Sequence, residues 1–197
     1  MAENKEYRPK GLTYTVLLPG GQQQRLQELI LYVSDACQTA TRFGMIKLNK
    51  IIWRADFTAF AARRVPVTGC AYQKLALGPA PTQMRPLLEE MRSAGQIEIE
   101  SVDFSAGISE KRVVAVMPPS VRFFSRDDLD YVDAAIQFYW NKTGQEASDD
   151  SHGIGWHTRE EGDPMPYELA FLSDKILADA DAARFEAIGR ERGWVSA

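Results

Sequence analysis

Four side chains of the kinds that bind zinc are scattered along this sequence: Cys37, Cys70, His152 and His157. Zinc sites built from thiolates and imidazoles usually draw two ligands from one close pair, such as Cys-x-x-Cys. No two of these residues have that spacing. The two histidines are five residues apart, whereas an interval of four places both on one face of a helix. The pattern favours two buried thiols and two unrelated histidines, and it predicts neither a metal nor another cofactor.

Ser151 beside His152 suggests a second chemistry, in which a serine nucleophile is activated by a histidine base. Such a serine needs the base within hydrogen-bond reach and an acid that orients the base, and adjacency in sequence does not provide that geometry. The chain has no Gly-x-Ser-x-Gly elbow, and its glycines form neither a Walker loop nor a dinucleotide-binding fingerprint. We therefore predict no catalytic residue and no enzyme activity, and a hydrolase using Ser151 and His152 stays a disfavoured alternative.

Composition narrows the class of protein. The 197 residues are 45% hydrophobic and 25% charged, which fits one domain with a sizeable core. The net charge of −4 gives no global attraction to nucleic acid. Two cysteines make no disulfide framework, and no leader-like start is present, so the sequence predicts a reducing, cytoplasmic setting. The apolar runs fall short of the roughly 20 residues that span a bilayer, so no membrane insertion is expected.

The helix expected around Leu48 to Phe60 is the element that must position everything else, because its apolar residues cover most of its circumference. In the first half of the chain, periodicity and turn residues predict a candidate strand over 12–18, helices over 25–41 and 45–64, one strand over 71–77 ended by Gly78-Pro79, and a helix over 83–94. A hairpin of strands 96–104 and 112–117 follows, and then a helix that starts at a Ser125/Asp128 capping box and runs to Trp140. The rest of the chain is predicted to form a short irregular or one-turn segment over 147–157, a helical start over 167–172 and a final helix over 179–192.

These elements predict an α+β fold, a mostly helical single domain with a small antiparallel sheet and a winged-helix-like central part. We divide the chain into an extended N-terminal arm (1–24), the main domain (25–175) and a C-terminal helix and tail (176–197). The winged-helix order makes a DNA-binding transcriptional regulator an alternative function, with 83–94 as the recognition helix. That helix suits DNA poorly, because Arg85 and Arg92 are balanced by Glu89 and Glu90.

Two ordered blocks carry a family likeness. The stretch KLNKIIWRADFTAFAARRVPVTGCAYQKLALGPAPTQM resembles the signature of the Panacea domain of SocA-like antitoxins, many of them phage-associated, in which a Lys-Leu-x-Lys helix precedes Gly-x-x-Tyr and Gly-Pro-x-Pro. The stretch ASDDSHGIGWHTREEGDPMPYELAFL resembles that family's closing block. The likeness covers roughly 25–172, and Met165 stands where the family often has Ile. Ten matching residues are expected to be structural: Lys47, Lys50, Asp56, Gly69, Tyr72, Gly78, Pro79, His152, Trp156 and Tyr167.

The resemblance implies the antitoxin of a bacterial or prophage type II system, which binds one cognate toxin and in some cases presents it to a protease. It implies no catalysis. We expect His152 to pin the closing block to the central helix through Asp56 or Lys50. Toxin specificity is expected outside the motif residues, in the arm Glu3 to Gln24 or the hairpin Gln96 to Met117. Promoter DNA is the other partner considered, and the sequence leaves the toxin-binding surface and the oligomeric state open.

Overall fold

The computed structural model describes residues 18–104, 108–172, 183–184, 187–188 and 190–192. The candidate strand over 12–18 and most of the predicted final helix lie outside these ranges. Within them the chain forms, in order, α1 (Gly21–Ala36), α2 (Met45–Arg63), β1 (Tyr72–Leu75), β2 (Gly78–Pro81), α3 (Met84–Ser93), β3 (Ile97–Phe104), β4 (Ile108–Ala115), α4 (Arg126–Tyr139), α5 (Gly144–Asp150), α6 (Ile154–His157) and a 3₁₀ helix (Tyr167–Phe171).

Helix α2 is the centre of the core, as its apolar circumference predicts. Its residues Leu48, Ile52 and Ala55 are fully buried, and the helix packs against α1, α4, α5, β2 and the 3₁₀ helix. It ends at Arg63, and the next residue, Arg64, has a φ of 63°, outside the right-handed helical region. A helix with neighbours on so many sides needs apolar residues all round, which explains why its sequence lacks a polar face.

Two short antiparallel sheets flank α3. In one, β1 pairs with β2 from Tyr72↔Pro81 to Leu75↔Gly78. In the other, β3 pairs with β4 from Ile97↔Ala115 to Phe104↔Ile108. The prediction that Gly78-Pro79 ends a single strand was wrong: the chain turns at Ala76 and Leu77, and Gly78 begins the second strand of a hairpin. The α+β class is confirmed, and the winged-helix arrangement stays a prediction.

Helix α4 begins at the predicted capping box. Ser125 Oγ accepts a hydrogen bond from Asp128 N at 3.1 Å, and Asp128 Oδ2 accepts one from Ser125 N at 2.9 Å. A second capping box, formed by Thr143 and Glu146, starts α5 at Gly144, three residues before the short irregular or one-turn segment predicted over 147–157. The sequence Thr-x-x-Glu carries the same signal. The start was missed because α5 has only seven residues, too few to show a helical period.

Helix α1 begins at Gly21, four residues before its predicted start, so the last residues of the predicted extended arm are helical. Its buried face carries Leu26, Leu29, Ile30 and Val33, as the periodicity predicts. In the described part of the chain, no helix is both long and apolar enough to cross a membrane.

Candidate functional site

Asp56 of α2 is the most heavily bonded of the motif residues. Its carboxylate is fully buried and accepts hydrogen bonds from Thr68 N at 2.6 Å, from Tyr72 OH at 2.7 Å and from Tyr167 OH at 3.3 Å. The Thr68 hydroxyl also donates to it, and Tyr167 OH lies 2.8 Å from Cys70 O. One carboxylate thus ties the central helix to the loop before β1, to β1 itself and to the 3₁₀ helix.

The electrostatics of this Asp56 network explain why its members are tyrosines and a threonine. Burial raises the pKa of Asp56, and the hydrogen bonds from Thr68, Tyr72 and Tyr167 act in the opposite direction. Burial also raises the pKa of both tyrosines well above 10, so they remain donors. Gly69 supplies the sharp turn beside Thr68, with a φ of +74°. The network has a structural role, because each of its donors bonds an acceptor of the same chain.

The closing block makes a second cluster around Trp156. The indole Nε1 donates to Leu75 O at 2.9 Å, and the His152 ring stacks on the indole with centroids 3.9 Å apart. Lys74, a residue of β1, places its Nζ 4.0 Å from the centroid of the Trp156 ring. Backbone bonds from Lys74 N to Asp163 O at 2.9 Å and from Met165 N to Tyr72 O at 2.8 Å join the same segment to the outer edge of β1. The closing block therefore covers the first hairpin.

The partner expected for His152 differs in the structure. Asp56 is bonded by Thr68 and the two tyrosines, whereas His152 stacks on Trp156 and places Nε2 3.4 Å from Ser148 Oγ. Its pKa is lowered by burial and then by the charge of Lys50. His152 thus lies near Lys50, and its ring packs within its own segment rather than bonding to the central helix.

The two serines beside His152 are oriented as structural groups. Ser148 is fully buried and its hydroxyl donates to Leu77 O at 3.0 Å, while the Ser151 hydroxyl donates to Ser148 O at 2.6 Å. A serine nucleophile must present its oxygen to substrate and its proton to a base. Both protons here are directed at backbone carbonyls, which counts against the hydrolase alternative.

Lys50 and Gly78 meet where α2 crosses the start of β2. Lys50 is 2% exposed, its Nζ donates to Pro79 O at 2.9 Å, and burial lowers its pKa to about 7. Gly78 has a φ of +97°, and a Cβ on it would lie 2.5 Å from Lys50 Nζ and 2.1 Å from Ser151 Oγ. Glycine at this position lets the lysine and the serine approach the strand. Lys47, one turn earlier, instead donates to Trp140 O at 3.0 Å.

The zinc candidates do not form one site in the described part of the chain, where no three His, Cys, Asp or Glu side chains are grouped to hold a metal ion. Burial raises the pKa of Cys37 to about 11 and that of Cys70 to about 12. Both thiols are therefore protonated at neutral pH, which suits buried packing residues.

Sequence reasoning missed Arg25. This arginine of α1 is 2% exposed; its Nε donates to Val67 O at 2.6 Å and its NH2 nitrogen to Asp128 Oδ2 at 3.0 Å. It also donates to Phe123 O. The only sign of burial in the sequence was that Arg25 falls among the apolar positions of the helix. That sign does not distinguish a buried arginine from an exposed one.

The motif residues thus fall into two joined groups, the Asp56 network and the cluster of Lys50, Gly78, His152 and Trp156, with Lys47 apart. Comparison with known proteins gives one finding: the family model described as antitoxin SocA-like, Panacea domain, matches residues 48–157. No curated protein and no solved structure matches the chain. The matched range begins in α2 and ends with α6, so it contains the hairpin β1–β2 and both groups apart from Tyr167.

Proposed function

Because the chain belongs to the SocA-like Panacea family of antitoxins, we propose that it is the antitoxin of a bacterial or prophage type II system and neutralises one cognate protein toxin in the cytoplasm by binding it directly. The family match carries the proposal. The geometry supports it, because hydrogen bonds of the motif residues join α2 to the first hairpin and the closing block, so these residues build a scaffold. Such a scaffold suits a protein that acts by presenting a surface.

Toxin specificity belongs, in this proposal, to surface that the fold leaves free to vary. The hairpin β3–β4 fits that description: its inward residues Ile97 and Val113 are buried, whereas Glu98, Glu100 and Lys111 are exposed. Exposed positions on a hairpin whose other face is buried can change at little cost to stability. The arm Glu3 to Gln24, whose last four residues are the first of α1, is the second proposed contributor.

The direct test is co-expression with the product of the neighbouring gene. We expect that protein alone to arrest growth, and this chain to restore growth and to co-purify with it. The amount of toxin in the rescued cells separates two modes: an unchanged amount indicates neutralisation by occupancy, and a depleted one indicates delivery to a protease. If growth is not restored and nothing co-purifies, the antitoxin proposal is wrong.

His152→Ala tests whether the motif residues are structural. Loss of the stack on Trp156 should lower the Tm, and neutralisation should fall only as far as the folded population does. His157→Ala is the matched control, because His157 is exposed and contacts the same indole edge-on at 5.1 Å. An unchanged Tm together with lost neutralisation in His152→Ala would make His152 a partner-binding residue instead.

A further inference from the structure

A groove of about 310 Å³ lies between the first turns of α2 and the turn of the hairpin β1–β2. Met45, Ile46, Asn49 and Lys50 line its helical side, the turn residues up to Gly78 line the other, and Glu161 lies at its edge. The residues that line the groove are different from those of the Asp56 network, and Lys50, described above, is one of them.

Two polar groups in this groove have bonding capacity left over. Asn49 Nδ2 donates to Met45 O at 2.9 Å, but Asn49 Oδ1 is buried and has no hydrogen-bond partner among the described residues. Lys50 Nζ carries two protons when neutral and three when charged, and it donates one hydrogen bond to Pro79 O. No carboxylate of the described residues forms an ion pair with it. Buried polar atoms in native proteins are normally paired, so an unpaired acceptor and a donor with a free proton on two residues that line one groove point to a ligand.

The walls of the groove define the rest of that ligand. Leu77 is 49% exposed at the rim, and Met45 and Ile46 are half-buried opposite it, so the walls favour an apolar side chain. Glu161 at the edge disfavours an incoming carboxylate. A neutral amide fits better, because its carbonyl can accept from Lys50 while its N–H donates to Asn49 Oδ1.

We propose that this groove receives a peptide group of the toxin together with the apolar side chain next to it. Lys50 donates to the toxin's carbonyl oxygen, Asn49 Oδ1 accepts from its N–H, and Leu77 with Ile46 encloses the side chain. This inference rests on the proposed function and names the contact by which it operates. It adds a partner-binding role to Lys50, which the fold also uses to hold β2.

Binding of the purified toxin, measured by calorimetry, tests the groove. Leu77→Asp places a charge on the exposed rim and should weaken the Kd about tenfold or more. Val121→Asp makes the same change at an exposed apolar residue outside the groove, and its Kd should stay within about twofold of wild type. Equal affinities for wild type and Leu77→Asp, with both proteins folded, would overturn the proposal.

Asn49→Leu separates binding from folding. It removes an unpaired buried acceptor, so the Tm should be maintained or rise, while the toxin Kd should weaken about fivefold or more because the toxin's N–H loses its acceptor. A structural asparagine would behave in the opposite way. A lower Tm with an unchanged Kd would therefore overturn the assignment of Asn49.

A toxin-free experiment distinguishes failure of the groove from failure of the function. N-acetyl-leucinamide, which carries two amides and one apolar side chain, should shift the backbone amide NMR signals of Leu77, Gly78 and Asn49 at millimolar concentration, and sodium acetate should shift them less. No shift, or a stronger response to acetate, would overturn the amide chemistry. A chain that takes the probe but never binds the toxin would overturn the toxin assignment together with the antitoxin proposal.

Discussion

Gly78 shows how one missing side chain organises the region around it. Its φ of +97° is strained for any other residue, and a Cβ would collide with Lys50 Nζ and Ser151 Oγ. We expect Gly78→Ala to lower the free energy of unfolding by about 2 kcal/mol or more, measured by urea denaturation. Gly162→Ala is the control, because Gly162 has a φ of +88° with open space around it and should lose only about 1 kcal/mol. Equal losses would mean that the collision plays no part.

Lys50 should make stability depend on pH. Burial lowers its pKa to about 7 in the folded protein, whereas the unfolded chain has the ordinary value of 10.5. Above pH 7 the unfolded state therefore binds more protons, and the free energy of unfolding should rise with pH, with a slope approaching about 1.4 kcal/mol per pH unit. The rise should stop near about pH 8.5 to 9, because burial raises the pKa of Cys37 to about 11 and that of Cys70 to about 12, so the thiols of the unfolded chain lose their protons first and favour unfolding there. The titratable group facing it is His152, whose pKa is lowered from 6.5, so His152 is neutral throughout this range.

Urea denaturation at a series of pH values measures this slope, and Lys50→Met should remove it. Lys111→Met, at an exposed position of β4, should leave the slope unchanged. A wild-type protein whose stability is flat over this range would show that the buried amine keeps its proton.

At the scale of single residues the sequence revealed identities better than contacts. It marked Asp56, Tyr72 and Tyr167 as motif residues, and the structure joins them in one network. It did not reveal that Asp56 bonds the tyrosines rather than His152, because partners from distant segments are fixed by tertiary packing. The unpaired Asn49 Oδ1 was hidden for the same reason.

Among the elements, Arg25 determines how α1, the loop before β1 and α4 meet. Its guanidinium bonds in three directions, to Val67 O, Phe123 O and Asp128, and a lysine ammonium cannot reproduce that planar fork. We expect Arg25→Lys to cost about 2 kcal/mol of stability in urea denaturation. Arg126→Lys is the control: Arg126 pairs with Asp130 on the exposed face of α4, and its loss should stay below about 0.5 kcal/mol. Equal losses would show that Arg25 acts only as a charge.

The elements themselves followed from periodicity wherever a segment was long. Helix α2 lies within one residue of its predicted bounds, and α4 begins at its predicted cap. The bounds of the long helix α1 were misplaced by four to five residues, since it runs from Gly21 to Ala36 instead of 25–41. The errors in element type fell on short segments: Gly78-Pro79 has the composition of a breaker, but the bond from Lys50 to Pro79 O and the pairing with β1 hold it as a strand. Residues such as Gly and Pro, which usually end a strand, can still be held in a strand by tertiary contacts.

The whole molecule was predictable as far as its family and its α+β class, because two motif blocks in the right order are specific. The toxin was not predictable, since its identity depends on surface residues that the core does not constrain.

Exposed residues also decide the DNA-binding alternative. Helix α3 exposes Arg85 and Arg92 beside Glu89 and Glu90, and Arg92 lies 3.7 Å from Glu89, so its charges cancel where a recognition helix would meet phosphate.

The hairpin β3–β4, which would be the wing, exposes Glu98 and Glu100 and would repel a duplex further. We therefore expect fluorescence anisotropy with promoter DNA of about 20 base pairs to give a Kd weaker than about 10 µM near 150 mM salt. Reversing both charges, in Glu98→Lys with Glu100→Lys, should tighten binding several-fold and steepen its salt dependence, because two more phosphates would be neutralised. Submicromolar wild-type binding with a steep salt slope would instead establish the regulator, and α3 would then have to approach DNA by a face other than its charge-balanced one.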